Sequence, residues 1–117
     1  MQFAPSPQLL TEIAARFRAL SDDSRLRLLL VLRDGEQNVR ALTEQTGIAQ
    51  ASVSKHLGVL RQAGLVDSRR EGPSVIYFVR DESIFQMCEI VCDGVRRRAQ
   101  ETHAALGLTG EGPSNRK

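Results

Sequence analysis

Two groups of residues in this chain carry side chains that could do chemistry. The first is Cys88 and Cys92, four apart in sequence. Residues i and i+4 share one face of a helix, so the two thiols could hold one thiophilic ion such as arsenite, copper(I) or mercury(II). A third sulfur would then come from the equivalent helix of a second copy. A disulfide between copies would instead make a redox switch. The third reading is packing alone, because free cysteine is among the most buried residue types. An intrahelical disulfide is unattractive, since the two side chains do not converge without distortion. His103, eleven residues past Cys92, is too far along a helix to complete the same site.

The second group is polar and basic. Gln50, Ser52, Ser54, Lys55 and His56 lie within seven residues, and Arg69, Arg70 and Ser74 follow a short distance on. Gln50 and His56 can donate to or accept from base edges, whereas Lys55 and the serines suit phosphates equally well. From Gln50 to Arg80 there are five basic residues (Lys55, Arg61, Arg69, Arg70, Arg80) against two acidic ones, Asp67 and Glu71. The formal charge of the whole chain is only +2, but it is local charge that meets a phosphate backbone. Catalysis has no comparable basis. Two histidines are present, and neither a nucleophile-base-orienter trio nor a glycine-rich phosphate loop can be assembled.

The elements that must position these residues are legible from period and punctuation. Ser6-Pro7 opens a first helix to about Leu20, with Leu9, Leu10, Ile13, Ala14, Phe17 and Leu20 at helical spacing. Ser21-Asp22-Asp23 caps a second helix, carrying Leu26, Leu29, Leu30 and Leu32 inward and ending at Asp34-Gly35. Asn38 caps a short third helix through Val39, Leu42 and Thr46, and Gly47 fits a left-handed end. A fourth helix runs from about Gln50 to Ala63, with Val53, Leu57 and Leu60 on one face and Gly64 closing it. Two short helices about a glycine turn make a helix-turn-helix. The polar group then falls in the first half of the second helix, where recognition helices read DNA.

Leu65 to Arg70 and Val75 to Arg80 read as strands, joined by Glu71-Gly72-Pro73-Ser74. A hairpin in that position is a wing. Asp81 caps a last helix with Glu82 in its first turn. Ile84, Cys88, Val91 and Val95 form an apolar stripe on it, flanked by Phe85, Cys92 and Ala99. So wide a stripe points to packing against a second copy, together with the first helix. The expected fold is therefore mainly α with a β-hairpin wing, in the order helix-helix-helix-helix-strand-strand-helix. Residues 1–106 form one DNA-binding and dimerisation domain, and the Gly-, Pro- and Ser-bearing segment 107–117 is a disordered tail.

At 117 residues, with 4% aromatics and no Trp, the core must be aliphatic. The longest apolar run, Leu28 to Leu32, is far short of a membrane span. Glu12 and Arg16 interrupt the N-terminal segment, so no secretory signal is read there and the cytoplasm is the expected location.

Three stretches together resemble the ArsR/SmtB family of bacterial winged-helix repressors. They are Phe17 to Leu30 (FRALSDDSRLRLLL), Gly47 to Arg70 (GIAQASVSKHLGVLRQAGLVDSRR) and the wing through Tyr77. The resemblance covers about residues 12 to 101. It implies a symmetric homodimer on a double-stranded DNA operator, acting as a repressor released by a chemical signal. Two family positions differ. Ala49 stands where the recognition helix is usually capped by Ser, and Pro73 stands at a wing position that is commonly Arg. Two metal sites of the family are broken. Asn38 and Arg40 occupy its Cys-x-Cys positions. Of its zinc-type site on the last helix only Asp81 matches, with Ser83, Gly94 and Arg97 in the other places. A sensing role thus rests on Cys88 and Cys92. A constitutive regulator without inducer stays open, as does a winged helix that binds protein in place of DNA. The second would show an acidic or apolar recognition face, which Lys55, His56, Arg69 and Arg70 argue against.

Overall fold

A computed structural model describes residues 2–107. The expected unstructured tail, from residue 108 on, lies outside the described residues. Among the described residues there are five helices and three strands: α1 (Pro7–Leu20), α2 (Asp23–Asp34), β1 (Gln37–Asn38), α3 (Val39–Thr46), α4 (Gln50–Gln62), β2 (Val66–Glu71), β3 (Ser74–Val79) and α5 (Ser83–Ala105). They fall into two compact units, one ending at Glu82 and the other starting at Ser83.

Helix starts in the first unit follow the capping chemistry of the sequence. The Ser6 hydroxyl accepts from the Leu9 amide, with Pro7 as the first helical residue. Asp22 accepts from the amides of Ser24 and Arg25, and Asn38 from that of Ala41. Each cap satisfies amides that the first helical turn leaves without partners. Gly47 ends α3 at φ 75°, a left-handed conformation that costs glycine little. Only Ile48 and Ala49 then separate it from α4, so the two helices are joined by the tight turn that the helix-turn-helix requires.

The core of this unit is aliphatic. Leu28, Leu29 and Leu32 from α2, Leu42 from α3, and Val53, Leu57 and Leu60 from α4 are buried, with Leu65 and Val66 beside them. Two placements differ from the expectation. Leu30 is 44% exposed while Leu28 is fully buried. In a run of five consecutive apolar residues, Leu28 to Leu32, the period leaves the inward face open, and packing against α3 and α4 selects it. In α1 only Ala19 and Leu20 are buried; Leu9, Leu10 and Phe17 are about half exposed.

The hairpin is a wing with a third strand. β2 and β3 pair antiparallel from Val66↔Val79 to Glu71↔Ser74, leaving Gly72-Pro73 as a two-residue turn. Gly72 sits at φ 60° and proline fixes a negative φ, the sign pattern of the II′ turn that suits a hairpin. Pairing therefore runs one residue further on the first strand than the sequence indicates and starts one residue earlier on the second. Leu65 is outside the strand because its amide donates to the Leu60 carbonyl at the end of α4. β1, unforeseen, adds Gln37↔Tyr77 and Asn38↔Ile76 to the outer side of β3. Two residues carry no readable alternation.

The second unit is α5. It begins at Ser83 rather than directly after Asp81, and the Asp81 carboxylate takes an ion pair from Arg16. Ile84 is buried and Cys88 half-buried, whereas Ile90, Val91 and Val95 are 58–71% exposed. Among the described residues no helix is long and apolar enough to cross a membrane.

Candidate nucleic-acid interface

α4 is anchored by Val53, Leu57 and Leu60, and the residues between them face outward by helical period. Gln50, Ser52, Ser54 and Lys55 are exposed, and His56 is half-buried at the edge of that face. The turn and the buried stripe thus bring five of the sequence-selected residues onto one presented surface. Ala49 offers no side-chain cap, and among the described residues no other side chain replaces it. The first amides of α4 are left to external acceptors, at the positive end of the helix dipole.

His56 does not simply point outward. Its Nδ1 lies 3.3 Å from an Arg25 guanidinium nitrogen on α2. Arg25 is itself fixed: Nε donates to the Ala19 carbonyl at 2.6 Å and a terminal nitrogen to the Arg18 carbonyl at 3.2 Å. Asp22, four ångströms from Arg25, caps the same helix. The Arg25 amide holds its carboxyl below the ordinary value, burial partly opposing. Sequence pattern missed Arg25 because an arginine among the leucines of a helix reads as a solvated charge.

The wing separates two arginines that the sequence presents as a pair. Successive strand residues point to opposite faces. Arg69 shares its face with Glu71, two residues on, and with Phe78, diagonal to it across the ladder. Its guanidinium donates to Glu36 at 2.7 Å and to Glu71 at 2.8 Å, and lies 5.8 Å from the Phe78 ring centroid. The Arg69 hydrogen bond is the main cause holding the Glu36 carboxyl below its ordinary value. The two carboxylates push Arg69 further up. The side chain of Arg70, on the opposite face, has no ion pair or hydrogen bond among the described residues, and neither has that of Lys55. Ser74 is half-buried at the base of the turn. Arg61 and Arg80 both reach Asp67, at 3.4 and 2.8 Å, so these two basic residues are engaged within the fold.

The cysteines belong to the second unit, on α5. Cys92 is exposed and Cys88 half-buried, and burial pushes the Cys88 thiol above its ordinary value. Among the described residues no three His, Cys, Asp or Glu side chains gather as a metal site.

The family model for bacterial regulatory proteins of the arsR family matches residues 22–68, from the α2 cap through the start of the wing. The transcriptional regulator NmtR of Mycobacterium tuberculosis is 35% identical over 107 residues, covering 92% of this chain and 84% of that protein. The chain belongs to the ArsR family. Another relative of this ArsR-family chain, the regulator KmtR of the same organism, is 42% identical over 71 residues. That match spans 61% of this chain and only 55% of KmtR. Among solved structures, the homodimeric winged helix-turn-helix DNA-binding domain of a possible ArsR-family regulator from Mycobacterium bovis superposes with TM-score 0.71 at 28% identity. It covers 86% of this chain and 95% of that one. Members of the family are DNA-binding winged-helix regulators, and this ArsR-family protein is a transcriptional regulator, not an enzyme.

Proposed function

We propose that this regulator acts in the cytoplasm as a homodimeric repressor, binding a double-stranded operator with α4 in the major groove and the β2–β3 wing on the backbone. The observation that carries the reading is the outward face of α4. Gln50, Ser52, Ser54 and Lys55 stand exposed opposite a fully buried Val53, Leu57 and Leu60, behind a tight turn and ahead of a wing that carries Arg69 and Arg70. Short polar and cationic side chains on a helix so presented suit base edges and phosphates. The proposed contacts are Gln50, Ser52, Ser54, Lys55 and His56 from α4, with Arg69, Arg70 and Ser74 from the wing. Of the two arginines, Arg70 is ready for a phosphate, whereas Arg69 must first leave two carboxylates. Dimerisation is assigned to α1 and α5, each of which exposes large apolar side chains. A titration of promoter DNA by gel shift at stepped salt tests the reading. Specific binding that weakens steeply with salt supports it, and binding that is absent or indifferent to salt favours a protein-interaction module.

Release by a thiol-directed signal is the second part of the reading. Its support is one exposed and one half-buried thiol a helical turn apart on α5. Cys88 and Cys92 would give two sulfurs to a thiophilic ion such as arsenite, with a third from the partner, or would oxidise across the dimer. Reduced protein on its operator should then let go when arsenite or a mild thiol oxidant is added. Cys88→Ser and Cys92→Ser should stay bound. Release that is identical in all three proteins assigns the cysteines to packing.

A further inference from the structure

The contact between His56 and Arg25 determines more than position. A neutral imidazole carries one N–H and one bare nitrogen, and which is which depends on what each nitrogen faces. Nδ1 faces a guanidinium nitrogen at 3.3 Å. Arginine has five N–H donors and no acceptor, so Nδ1 can only accept. The ring proton then belongs on Nε2. That nitrogen has no partner among the described residues, and it is not among the buried polar atoms. It is left for a partner from outside the fold, on a half-buried ring at the edge of the outward face of α4.

Arg25 is well placed to impose this choice. The Ala19 and Arg18 carbonyls take two of its nitrogens, and Asp22 stands 4.0 Å away. Its side chain is only 16% exposed. The guanidinium is therefore held before any DNA arrives, and the imidazole needs no reorganisation on binding.

Building on the operator reading above, we infer that Arg25 locks His56 in its Nε2–H tautomer, so that the recognition helix presents a hydrogen-bond donor, and no acceptor, at this position. His56 is then a specificity residue that selects a base-edge acceptor in the major groove, such as guanine O6 or N7 or thymine O4. Arg25 is its positioning residue and touches no base. An unfixed histidine could meet donors and acceptors alike; a locked one discriminates between them.

The test has one arm without DNA and one with it. With ¹⁵N-labelled histidine, at a pH well above the ordinary histidine range, long-range ¹H–¹⁵N correlation spectra distinguish a protonated ring nitrogen from a bare one. Only His56 and His103 contribute signals, and His103→Gln assigns them. The expected result is a protonated Nε2 and a bare Nδ1 for His56. Arg25→Met should return the ring to a mixture of tautomers. A protonated Nδ1 in the wild type, a mixture there, or a tautomer unmoved by Arg25→Met overturns the inference. In the second arm, binding to a library of single-base operator variants is compared for wild type and His56→Ala. Preference should relax at one base pair per half-site, by about three- to tenfold for one hydrogen bond. A uniform loss at every position would mean a phosphate contact and overturns the specificity role. The wild type and His56→Ala stay informative even where Arg25→Met folds poorly. Failure of the wild type to bind any operator specifically sinks the operator reading itself. A different tautomer with operator binding intact sinks only this inference.

Discussion

At the scale of single residues, neighbouring basic side chains have unequal freedom. Lys55 and Arg70 are unpaired among the described residues, whereas Arg69 is shared between Glu36 and Glu71. Exposed ion pairs contribute little to stability, but they decide which cations can release counterions on DNA. Lys55→Ala and Arg70→Ala should each weaken binding across all sequences and lower the slope of log K against log salt by about one. Arg69→Gln should change that slope less, and Glu36→Gln should raise affinity. If Glu36 acts through Arg69, its effect should vanish in an Arg69→Gln background; an unchanged effect would mean plain charge repulsion. Acid titration reads the same contact. A carboxyl lowered in the folded state stabilises the fold above its unfolded value and loses that contribution as pH falls through the folded one. Glu36 is lowered chiefly by Arg69, so its NMR titration midpoint should fall below the ordinary 4.5 and return towards it in Arg69→Gln.

At the scale of elements, most of the fold was legible because the first three helix starts carry their own chemistry. Ser6, Asp22 and Asn38 are caps in the sequence and caps in the structure, and Gly47 ends α3 as a left-handed residue should. What escaped is what depends on a distant partner. β1 exists only because β3 lies beside it. The inward face of Leu28–Leu32 is chosen by packing, and the Arg25–His56 contact joins residues 31 apart in sequence. The helix and the hairpin that carry the candidate side chains were legible in the sequence. The pairing of those side chains was not, because alternation on a strand says which face a residue takes and nothing of the acid opposite. The mechanical premise of α4 can be checked directly. Leu57 is fully buried, and Leu57→Ala should cost about 2–5 kcal/mol by loss of transfer energy and a residual cavity. Urea unfolding measures this. DNA affinity should fall with it only where the variant is partly unfolded.

At the scale of the whole molecule, the apolar surface remaining outside the core is the feature to explain. Leu9, Leu10 and Phe17 on α1 are 49–54% exposed, and Val91 and Val95 on α5 are 58% and 64% exposed. A single copy leaves this surface in water at a cost that grows with apolar area, while a second copy removes it by a self-complementary contact. Val91 and Val95 stand at i and i+4, so they share one face of α5. Val91→Glu with Val95→Glu places two charges there and changes no residue of the first unit. The pair should therefore leave the helical circular dichroism signal unchanged and shift sedimentation equilibrium from dimer to monomer. Operator binding should weaken far more than any single contact explains, because a dimer gains the effective concentration of its second half on a two-half-site operator, about 10²- to 10⁴-fold. A half-site should bind wild type and variant with similar affinity. A variant that still sediments as a dimer would place the interface elsewhere, and one that is monomeric yet binds the full operator unimpaired would remove dimerisation from the mechanism.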